Sequence, residues 1–451
     1  MYIERKIDTE LLEWKNGYNR KPLLLRGARQ VGKSSSIRHL GESFKHYAEV
    51  NFEKRPELRA LFTQGNDMRE TAARLGVVLG VPIVPGQTLL FLDEIQSCPE
   101  AMKSLWFFKE DYPELHVVAA GSLLEFALKG MASFGVGRIR SMFMYPLSFD
   151  EFLHAMGKDS WIEEKRRAGC DKPLLDALHE RIVQEFRSFL MVGGMPASVV
   201  AWAQTHDYVQ CAVEQEDIQQ AYYDDFAKYA PHIDPQLLRN TLQSVIMQVG
   251  HKFVYSRVEG GYRTDDVKRA LTMLCDAGLI KEVRHTAANG LPLGAEANDK
   301  FRKFIYLDSG LMLRIQDLDF DGARQAAQQI LGGTAEELVN KGGITEMVAG
   351  WELVKALSSR TKHELFYWQD LGDGTMSEVD YITVCDMKIL PIEVKAGTTG
   401  KMKSLRLFMR KKGLERAIRT SLENFGLIEL GDDGSNSRIE IVPLYALSSI
   451  R

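Results

Sequence analysis

Short apolar runs alternate with longer amphipathic stretches in the first third of the chain. The runs Leu23–Leu25, Leu89–Leu92 and Val117–Ala120 contain no polar residue. Strands that are buried on both faces of a parallel sheet have this pattern, whereas strands with one wet face alternate apolar and polar residues. Residues 20–150 are therefore predicted to form an α/β domain around a parallel sheet.

The period of the apolar positions becomes helical from about residue 151 to residue 232, with an interruption at Gly193–Pro196. The next segment predicts a helix, a short strand, a second helix and a two-stranded hairpin, at residues 237–249, 253–255, 265–277, and 279–283 with 304–307. Helix, helix and two-stranded wing follow one another in this order in a winged helix. Residues 235–315 are therefore predicted to form one.

Composition excludes several classes of protein. The chain has 451 residues, of which 45% are hydrophobic and 26% charged, as in ordinary globular proteins. The segment Met1–Lys6 lacks the apolar stretch of a signal peptide, and no apolar run is long enough to span a membrane. The five cysteines are scattered without a C-x-x-C pair, which favours reduced thiols over a disulfide framework or a zinc site. We expect a cytoplasmic protein with no membrane partner.

Charge is unevenly distributed along the chain. The net charge is −4, but the segment from Lys388 to Arg419 carries ten Lys or Arg residues against two Glu. A basic face on an acidic body is a candidate nucleic-acid footprint. A solvated helix surface explains the same charges equally well.

A phosphate-binding loop (P-loop) follows the first apolar run. The pattern G-x-x-x-x-G-K-[ST] is matched by Gly27, Ala28, Arg29, Gln30, Val31, Gly32, Lys33 and Ser34, with Ser35 directly behind. The glycines let backbone N–H groups at a helix N-terminus face phosphate. Lys33 is expected to reach the β- and γ-phosphates and the Ser34 hydroxyl to bind Mg²⁺, so the cofactors are ATP and Mg²⁺.

A second motif completes the nucleotide site. The apolar run Leu89–Leu92 ends in Asp93 and Glu94. A carboxylate at the carboxyl end of a strand can hold the water shell of the metal, and Glu94 beside it can polarise the attacking water. Ser122 follows the next apolar run and is expected to sense the γ-phosphate, although an ordinary turn after a strand explains it too.

Together these motifs resemble the bacterial and archaeal AAA-type ATPases that carry a C-terminal PD-(D/E)XK nuclease-like domain. The resemblance spans nearly the whole chain and rests on the segments Arg26–Lys33, Asp93–Gln96, Ala120–Ser122, Gly137–Arg138, Tyr145–Phe149, Glu151–Phe152, Gly193–Pro196 and Tyr306–Leu311. It implies that Arg138 senses nucleotide, acting as an arginine finger on a neighbouring subunit. Such a finger requires a homo-oligomer. In many ATPases of this type a winged helix packs on the nucleotide domain. Asp265 and Asp266 at the start of the second helix would repel phosphate, which favours that role over reading DNA through Lys268 and Arg269.

The C-terminal segment carries acidic residues and a lysine on predicted strands. Asp380 lies in the strand 378–382, and Glu393 and Lys395 lie on one side of the strand 391–395. Asp380 and Glu393 can share a divalent metal, and Lys395 can stabilise charge on a phosphate. With Glu346 on a predicted helix at 344–353, the four positions resemble PD-(D/E)XK nucleases. The wet face of an edge strand, or a module that only holds DNA, explains the same residues.

We therefore predict an α/β protein with a RecA/AAA-like P-loop domain and a restriction-endonuclease-like C-terminal domain. Its parts are an ATPase domain at 1–155, a helical lid at 156–234, a winged helix at 235–315, a linker at 316–342 and a nuclease-like domain at 343–451. The predicted function is Mg²⁺-dependent ATP hydrolysis coupled to DNA binding or processing. The alternative is a nucleotide-dependent switch that binds a protein partner and retains an inactive nuclease fold.

Overall fold

A computed structural model describes residues 1–63, 67–121, 124, 128, 137–228, 233–315, 342–370, 377–395, 402–430 and 437–450. The chain forms two compact units. The first is Met1–Pro146 with the short pieces Asp276–Gly278 and Ser358–Lys362. The second comprises Leu147–Cys275, Leu279–Leu357 and His363–Arg451.

The first unit is built on a five-stranded sheet in which every pairing is parallel, in the order β2-β3-β4-β1-β5. The strands are β1 (Leu23–Arg26), β2 (His46–Asn51), β3 (Thr88–Asp93), β4 (His116–Ala120) and β5 (Arg140–Phe143). The helices are α1 (Lys6–Asn16), α2 (Lys33–Glu42), α3 (Met68–Leu79) and α4 (Pro99–Asp111), with 3-10 turns at Pro56–Leu61 and Ile95–Ser97. The predicted α/β fold with a parallel sheet is confirmed.

Uninterrupted apolar sequence explains why the central strands are buried on both faces. Every residue of β3 and β4 is buried. One face of the sheet, with Leu24, Leu90 and Val117, packs against apolar residues of α3 and α4 such as Leu75 and Leu105. Because all five strands are parallel, their carboxyl ends share one edge of the sheet, where the loops after β1 and β3 meet.

The second unit begins with helices, as the periodicity predicts. They are α5 (Phe149–Ala155), α6 (Asp159–Arg167), α7 (Asp176–Val192), α8 (Pro196–Thr205), α9 (Tyr208–Lys228), α10 (Pro235–Met247), α11 (Thr264–Asp276), α12 (Ser309–Ile315), α13 (Gly342–Ala356) and α14 (Lys403–Lys412). The predicted interruption at Gly193–Pro196 separates α7 from α8. Helix α11 buries Val267, Leu271 and Leu274 on one face.

An eight-stranded mixed sheet forms the rest of the second unit, in the order β12-β13-β11-β10-β9-β8-β6-β7. Its strands are β6 (Ile280–Thr286), β7 (Ala297–Tyr306), β8 (Leu365–Gln369), β9 (Glu378–Cys385), β10 (Lys388–Val394), β11 (Arg416–Ser421), β12 (Gly426–Glu429) and β13 (Arg438–Pro443). A 3-10 turn at Leu444–Ser449 ends the described chain.

The predicted wing is an antiparallel hairpin of β6 and β7, and it also extends the C-terminal sheet. Strand β6 pairs in parallel with β8, with Val283 opposite Leu365 and His285 opposite Tyr367. The short strand predicted at 253–255 is wrong, because a 3-10 turn occupies Tyr255–Arg257 and Phe253 makes one strand-like bond to Arg302. The assignment of 235–315 as a winged helix and the predicted domain limits stay predictions.

In the C-terminal part of the chain, helix α13 is followed by three strands of the sheet. Strands β8, β9 and β10 form an antiparallel meander after α13, and β11 returns parallel to β10 after α14. The β9–β10 turn is made by Asp386 and Met387, whose φ angles of 50° and 59° suit a two-residue hairpin. The predicted linker at 316–342 lies outside the described residues except Gly342, with which α13 begins.

Candidate functional site

The P-loop connects β1 to α2 at the carboxyl edge of the parallel sheet. Gly27 approaches the residue that follows β5 so closely that a Cβ there would lie 2.2 Å from the carbonyl oxygen of Met144. Gly32 directly precedes α2 as its N-cap residue and has φ 101°, a conformation that favours glycine. Of the other predicted loop residues, Ala28 and Val31 are buried, Arg29 is half-buried, and Gln30 and Ser35 are exposed. The sequence thus folds the loop so that its backbone wraps the start of a helix.

Lys33 turns back onto its own loop. Its side-chain Nζ donates to the carbonyl oxygens of Gly27 at 2.9 Å and Ala28 at 2.6 Å, and the residue is 7% exposed. Burial lowers the pKa of Lys33 to about 8, and the charges of Glu94 and Asp93 oppose that shift. The two carbonyl oxygens that Lys33 bonds are neutral, so an anionic ligand can replace them.

Asp93, at the end of β3, accepts hydrogen bonds from two other elements, α2 and β2. Its carboxylate accepts a hydrogen bond from the Ser34 hydroxyl at 3.1 Å and another from the Asn51 amide at 3.1 Å. Asn51 ends β2 directly opposite Asp93 in the sheet register. Burial raises the pKa of Asp93, and the neighbouring charge of Glu94 adds to the rise. Asn51 is absent from the residues predicted for this site.

Glu94 follows β3 in the left-handed region, with φ 49°. Its carboxylate accepts a hydrogen bond from the Gln96 side-chain amide at 2.6 Å. Gln96 in turn lies against Gly121, where an added Cβ would lie 2.0 Å from its Oε1 atom. The end of β4 is therefore packed against the Glu94 turn. Ser122, the predicted phosphate sensor, lies outside the described residues.

The predicted C-terminal residues are brought together in the second unit. Asp380 on β9 accepts a hydrogen bond from the backbone N–H of Val394 at 2.7 Å. Lys395 donates to Glu393 Oε1 at 2.5 Å. Glu346 lies on the buried face of α13, which is fixed to the sheet by a hydrogen bond of 2.7 Å from the Tyr381 hydroxyl to the Glu346 backbone carbonyl.

Two further charged residues complete this carboxylate–lysine cluster, which we define as Glu346, Glu378, Asp380, Glu393, Lys303 and Lys395. Lys303 on β7 is 1% exposed, donates to Glu346 Oε1 at 2.9 Å and forms an ion pair with Glu378. Its ammonium group also lies 5.1 Å from the ring centre of Tyr367. Neither Lys303 nor Glu378 was singled out by the sequence pattern.

Electrostatics in the cluster are dominated by burial. Burial and the charge of Asp380 raise the pKa of Glu393 to about 7, and burial raises that of Glu346 to about 8 against the pull of Lys303. For Lys303, burial acts to lower the pKa, but the charges of Glu346, Glu378 and Asp380 outweigh it and raise the pKa above its usual value. The surrounding carboxylates thus favour the charged form of Lys303.

Three segments of the chain match known protein families. Residues 19–153 match the family described as "AAA domain". The chain contains an AAA-type P-loop ATPase domain. Residues 183–321 and 341–447 match two other families, each described as a domain of unknown function (DUF8612 and DUF4143). No curated protein sequence matches the chain.

Two of the solved structures that align with this chain do so at low identity. The Aeropyrum pernix ORC1 protein in complex with DNA shares 13% identity over 72% of this chain and 91% of its own, with a TM-score of 0.27. The S. cerevisiae Hsp104-ADP complex shares 11% identity over 78% of this chain, also with a TM-score of 0.27, and the alignment spans 44% of the Hsp104 chain. With TM-scores this low, neither alignment supports a conclusion about fold or function.

Arg138 lies away from the P-loop of its own AAA domain. Leu23 pairs with Arg140 and Arg26 with Phe143, so Arg138 precedes β5 at the amino-terminal edge of the parallel sheet. Its guanidinium donates to Glu110 at 2.5 Å and stacks 4.6 Å from the ring centre of Trp106, with the side chain 44% exposed. A role for Arg138 in nucleotide sensing therefore requires the site of another copy.

The two candidate metal positions differ in how well their residues fit an ion. In the AAA domain, the Ser34 hydroxyl and the Asp93 carboxylate lie 3.1 Å apart and offer the oxygen ligands that Mg²⁺ prefers. In the carboxylate–lysine cluster, Lys303 already occupies an oxygen of Glu346. Within the described part of the chain, no group of three or more His, Cys, Asp or Glu residues is arranged to hold a metal ion.

Basic residues on α14 are exposed while its apolar face is buried. Leu405, Phe408 and Met409 pack into the core, and Lys403, Arg406, Arg410 and Lys411 face outward. Lys411 pairs with Asp370 at 2.5 Å. On α11, Lys268 and Arg269 pair with the acidic residues Asp265 and Asp266 of the same helix. In the described part of the chain, no helix is both long and apolar enough to cross a membrane.

Proposed function

We propose that the chain is a Mg²⁺-dependent AAA-type ATP hydrolase that couples ATP hydrolysis to DNA binding or processing through its nuclease-like C-terminal part. The observation that carries the ATPase proposal is the meeting of Lys33, Ser34, Asp93 and Glu94 at one edge of the parallel sheet. The match of residues 19–153 to the AAA domain family supports it.

Each residue has a distinct role in the proposed reaction. Lys33 exchanges the carbonyls of Gly27 and Ala28 for the β- and γ-phosphates, which are stronger partners for an ammonium group. Ser34 and Asp93 hold Mg²⁺, directly or through its water shell; when bound, the ion neutralises phosphate charge. Glu94 orients the attacking water. Arg138 stabilises charge on the nucleotide of a neighbouring copy, which implies a homo-oligomer.

The proposed link to DNA rests on the second unit. Glu346, Asp380 and Glu393 come together from a helix and two adjacent strands, as the resemblance to PD-(D/E)XK nucleases implies. Exposed Lys403, Arg406 and Arg410 on α14 offer phosphate contacts. The proposed location is the cytoplasm.

The test is ATP turnover in Mg²⁺ with and without single-stranded, duplex and four-way-junction DNA, with the same samples scanned for cleavage. We expect one DNA form to stimulate turnover, and Lys33→Ala and Glu94→Gln to abolish it, while Lys103→Ala, at an exposed position of α4, does not. Turnover retained in either site variant would refute the site. Cleavage, if seen, should disappear in Lys395→Ala.

A second function is favoured by the position of Lys303. A lysine bonded to Glu346 suits a nuclease fold that has lost catalysis, and hence a nucleotide-dependent switch that binds a protein partner. That reading predicts slow turnover, tight nucleotide retention and indifference to every DNA form. Stimulation of turnover by DNA with a steep salt dependence would exclude it.

A further inference from the structure

Lys303 is a buried lysine held by two ion pairs. Its side chain is 1% exposed and contacts two carboxylates from different elements, Glu346 on α13 and Glu378 on β9. The indole of Trp351 donates to the backbone carbonyl of Tyr306 at 2.6 Å, which fixes α13 against β7. The strand that carries Lys303 and the helix that carries Glu346 are thus locked together.

A buried ammonium group is retained only where opposite charges compensate its loss of water. Here the compensation comes from Glu346 and Glu378, which contact Lys303, and from the nearby charge of Asp380; of these, Glu346 and Asp380 belong to the four positions of the PD-(D/E)XK resemblance. A metal ion bound to Glu346 would compete with Lys303 for that carboxylate and would repel its positive charge. The two cations therefore exclude each other.

We propose that Lys303 is a resident counter-ion that fills the cation position of the carboxylate–lysine cluster, so that the cluster binds a divalent cation only when the ammonium group leaves Glu346. The proposal rests on the nuclease-like interpretation of the cluster. It states that the expected metal is replaced by a residue of the chain itself.

One carboxylate oxygen of the carboxylate–lysine cluster is buried and accepts no hydrogen bond from the part of the chain that the structure describes. Glu393, whose side chain is 7% exposed, bonds Lys395 through Oε1, while its Oε2 is buried without a hydrogen-bond partner among the described residues. Buried carboxylate oxygens are normally satisfied, so an unpartnered oxygen on a residue of this acidic cluster indicates a place for a donor or a cation. Removal of Lys303 should let a cation use it.

The test is calorimetric titration of the full-length protein with MnCl₂ in the absence of nucleotide. We expect the wild type and Lys300→Met, an exposed lysine of the same strand, to bind Mn²⁺ weakly. Lys303→Met should bind at least about tenfold more tightly, because the competing charge is gone. The gain should disappear in the double variant Lys303→Met, Glu393→Gln, and Lys303→Arg, which keeps the charge, should remain weak.

Every outcome decides the proposal. Wild-type protein that binds Mn²⁺ as tightly as Lys303→Met, or a folded Lys303→Met with no gain, overturns it. If circular dichroism shows that Lys303→Met is unfolded, Lys303→Gln takes its place, since it removes the positive charge, keeps a hydrogen-bond donor for the carboxylates and should tighten Mn²⁺ binding in the same way. No tightening in that variant also overturns the proposal.

The ATPase and DNA assays on the same variants separate this inference from the proposed function. Turnover that ignores DNA, combined with tighter Mn²⁺ binding in Lys303→Met, rejects the DNA-coupled function and keeps the counter-ion. DNA-stimulated turnover with unchanged Mn²⁺ binding rejects the counter-ion and keeps the function.

Discussion

Lys33 in the P-loop and Lys303 in strand β7 are both buried beside carboxylates, yet the groups that they bond differ in charge. Lys33 donates to two backbone carbonyls, and burial lowers its pKa to about 8. Lys303 bonds two carboxylates, and their charges raise its pKa despite burial. The first lysine is held by partners that a phosphate can displace, and the second by partners that only a stronger cation can take.

This contrast distinguishes a binding lysine from a structural one. A lysine that awaits an anion should contribute little to stability and much to ligand binding. A lysine that neutralises buried acids should do the reverse. Variants at both positions, read for stability and for function, test the distinction.

The largest effect is expected for Lys303→Met, which leaves buried carboxylates without their counter-ion. Removing one partner of a buried ion pair typically costs about 3–5 kcal/mol. The midpoint of thermal unfolding, followed by circular dichroism without metal, should fall clearly. Lys300→Met should change stability by no more than about 0.5 kcal/mol. An unchanged midpoint in Lys303→Met would mean that the ammonium group does not hold the cluster together.

Lys33→Ala should show the opposite balance. We expect ATP turnover to fall about 10²–10³-fold, as when one preorganised donor to transition-state charge is removed. Stability should fall by only about 1 kcal/mol, because the lost bonds are to neutral carbonyls. Phosphate release and thermal unfolding measure the two effects, with Lys103→Ala as the control. Turnover within tenfold of wild type would contradict the assigned role.

The pH dependence of nucleotide affinity gives a smaller effect with a defined sign. In the free protein Lys33 loses its proton above pH 8, whereas a bound phosphate favours the charged form and raises its pKa. Binding then takes up a proton, so affinity should fall by up to about tenfold per pH unit above 8. Fluorescence titration with a labelled ADP from pH 7.5 to 9.5 measures this. Lys33→Met should bind weakly with no such slope; an identical slope would assign the titration to another group.

The smallest effect is expected for Asn51→Ala. The lost hydrogen bond to Asp93 is worth about 1 kcal/mol, so kcat should fall about fivefold while nucleotide affinity stays nearly constant. Steady-state kinetics and nucleotide titration separate the two quantities, with exposed Asn16→Ala on α1 as the control. A change in affinity alone would mean that Asn51 shapes the pocket and does not position Asp93.

Contiguous motifs explain what could be predicted from the sequence. The P-loop, the strand that ends in Asp93 and the hairpin around Asp386 depend on neighbouring residues, and all three lie on the elements that their patterns indicate. Asn51 could have been found by the same reasoning, because a polar residue ends a strand at the edge of the sheet where Asp93 lies.

Lys303 could not be found in that way. Lys303 precedes the apolar run Phe304–Leu307, so the sequence predicts a solvent-exposed residue at the start of a strand. Its burial depends on residues far along the chain and on the parallel pairing of β6 with β8, which no local pattern encodes. Because the local pattern does not reveal the pairing of β6 with β8, the β6–β7 hairpin is predicted from the sequence as a separate wing.

The order in which the chain is synthesised gives the pairing of Lys303 a further consequence. Glu346 and Glu378 follow Lys303 by 43 and 75 residues. At roughly 5–20 residues per second, β7 leaves the ribosome about 4–15 s before its second counter-charge. During that interval Lys303 has to remain in contact with water. Strand β6 also has one unpaired edge, at which another chain could add a strand and start aggregation. A nascent chain stalled before β8 should therefore depend on chaperones more than one stalled after β10.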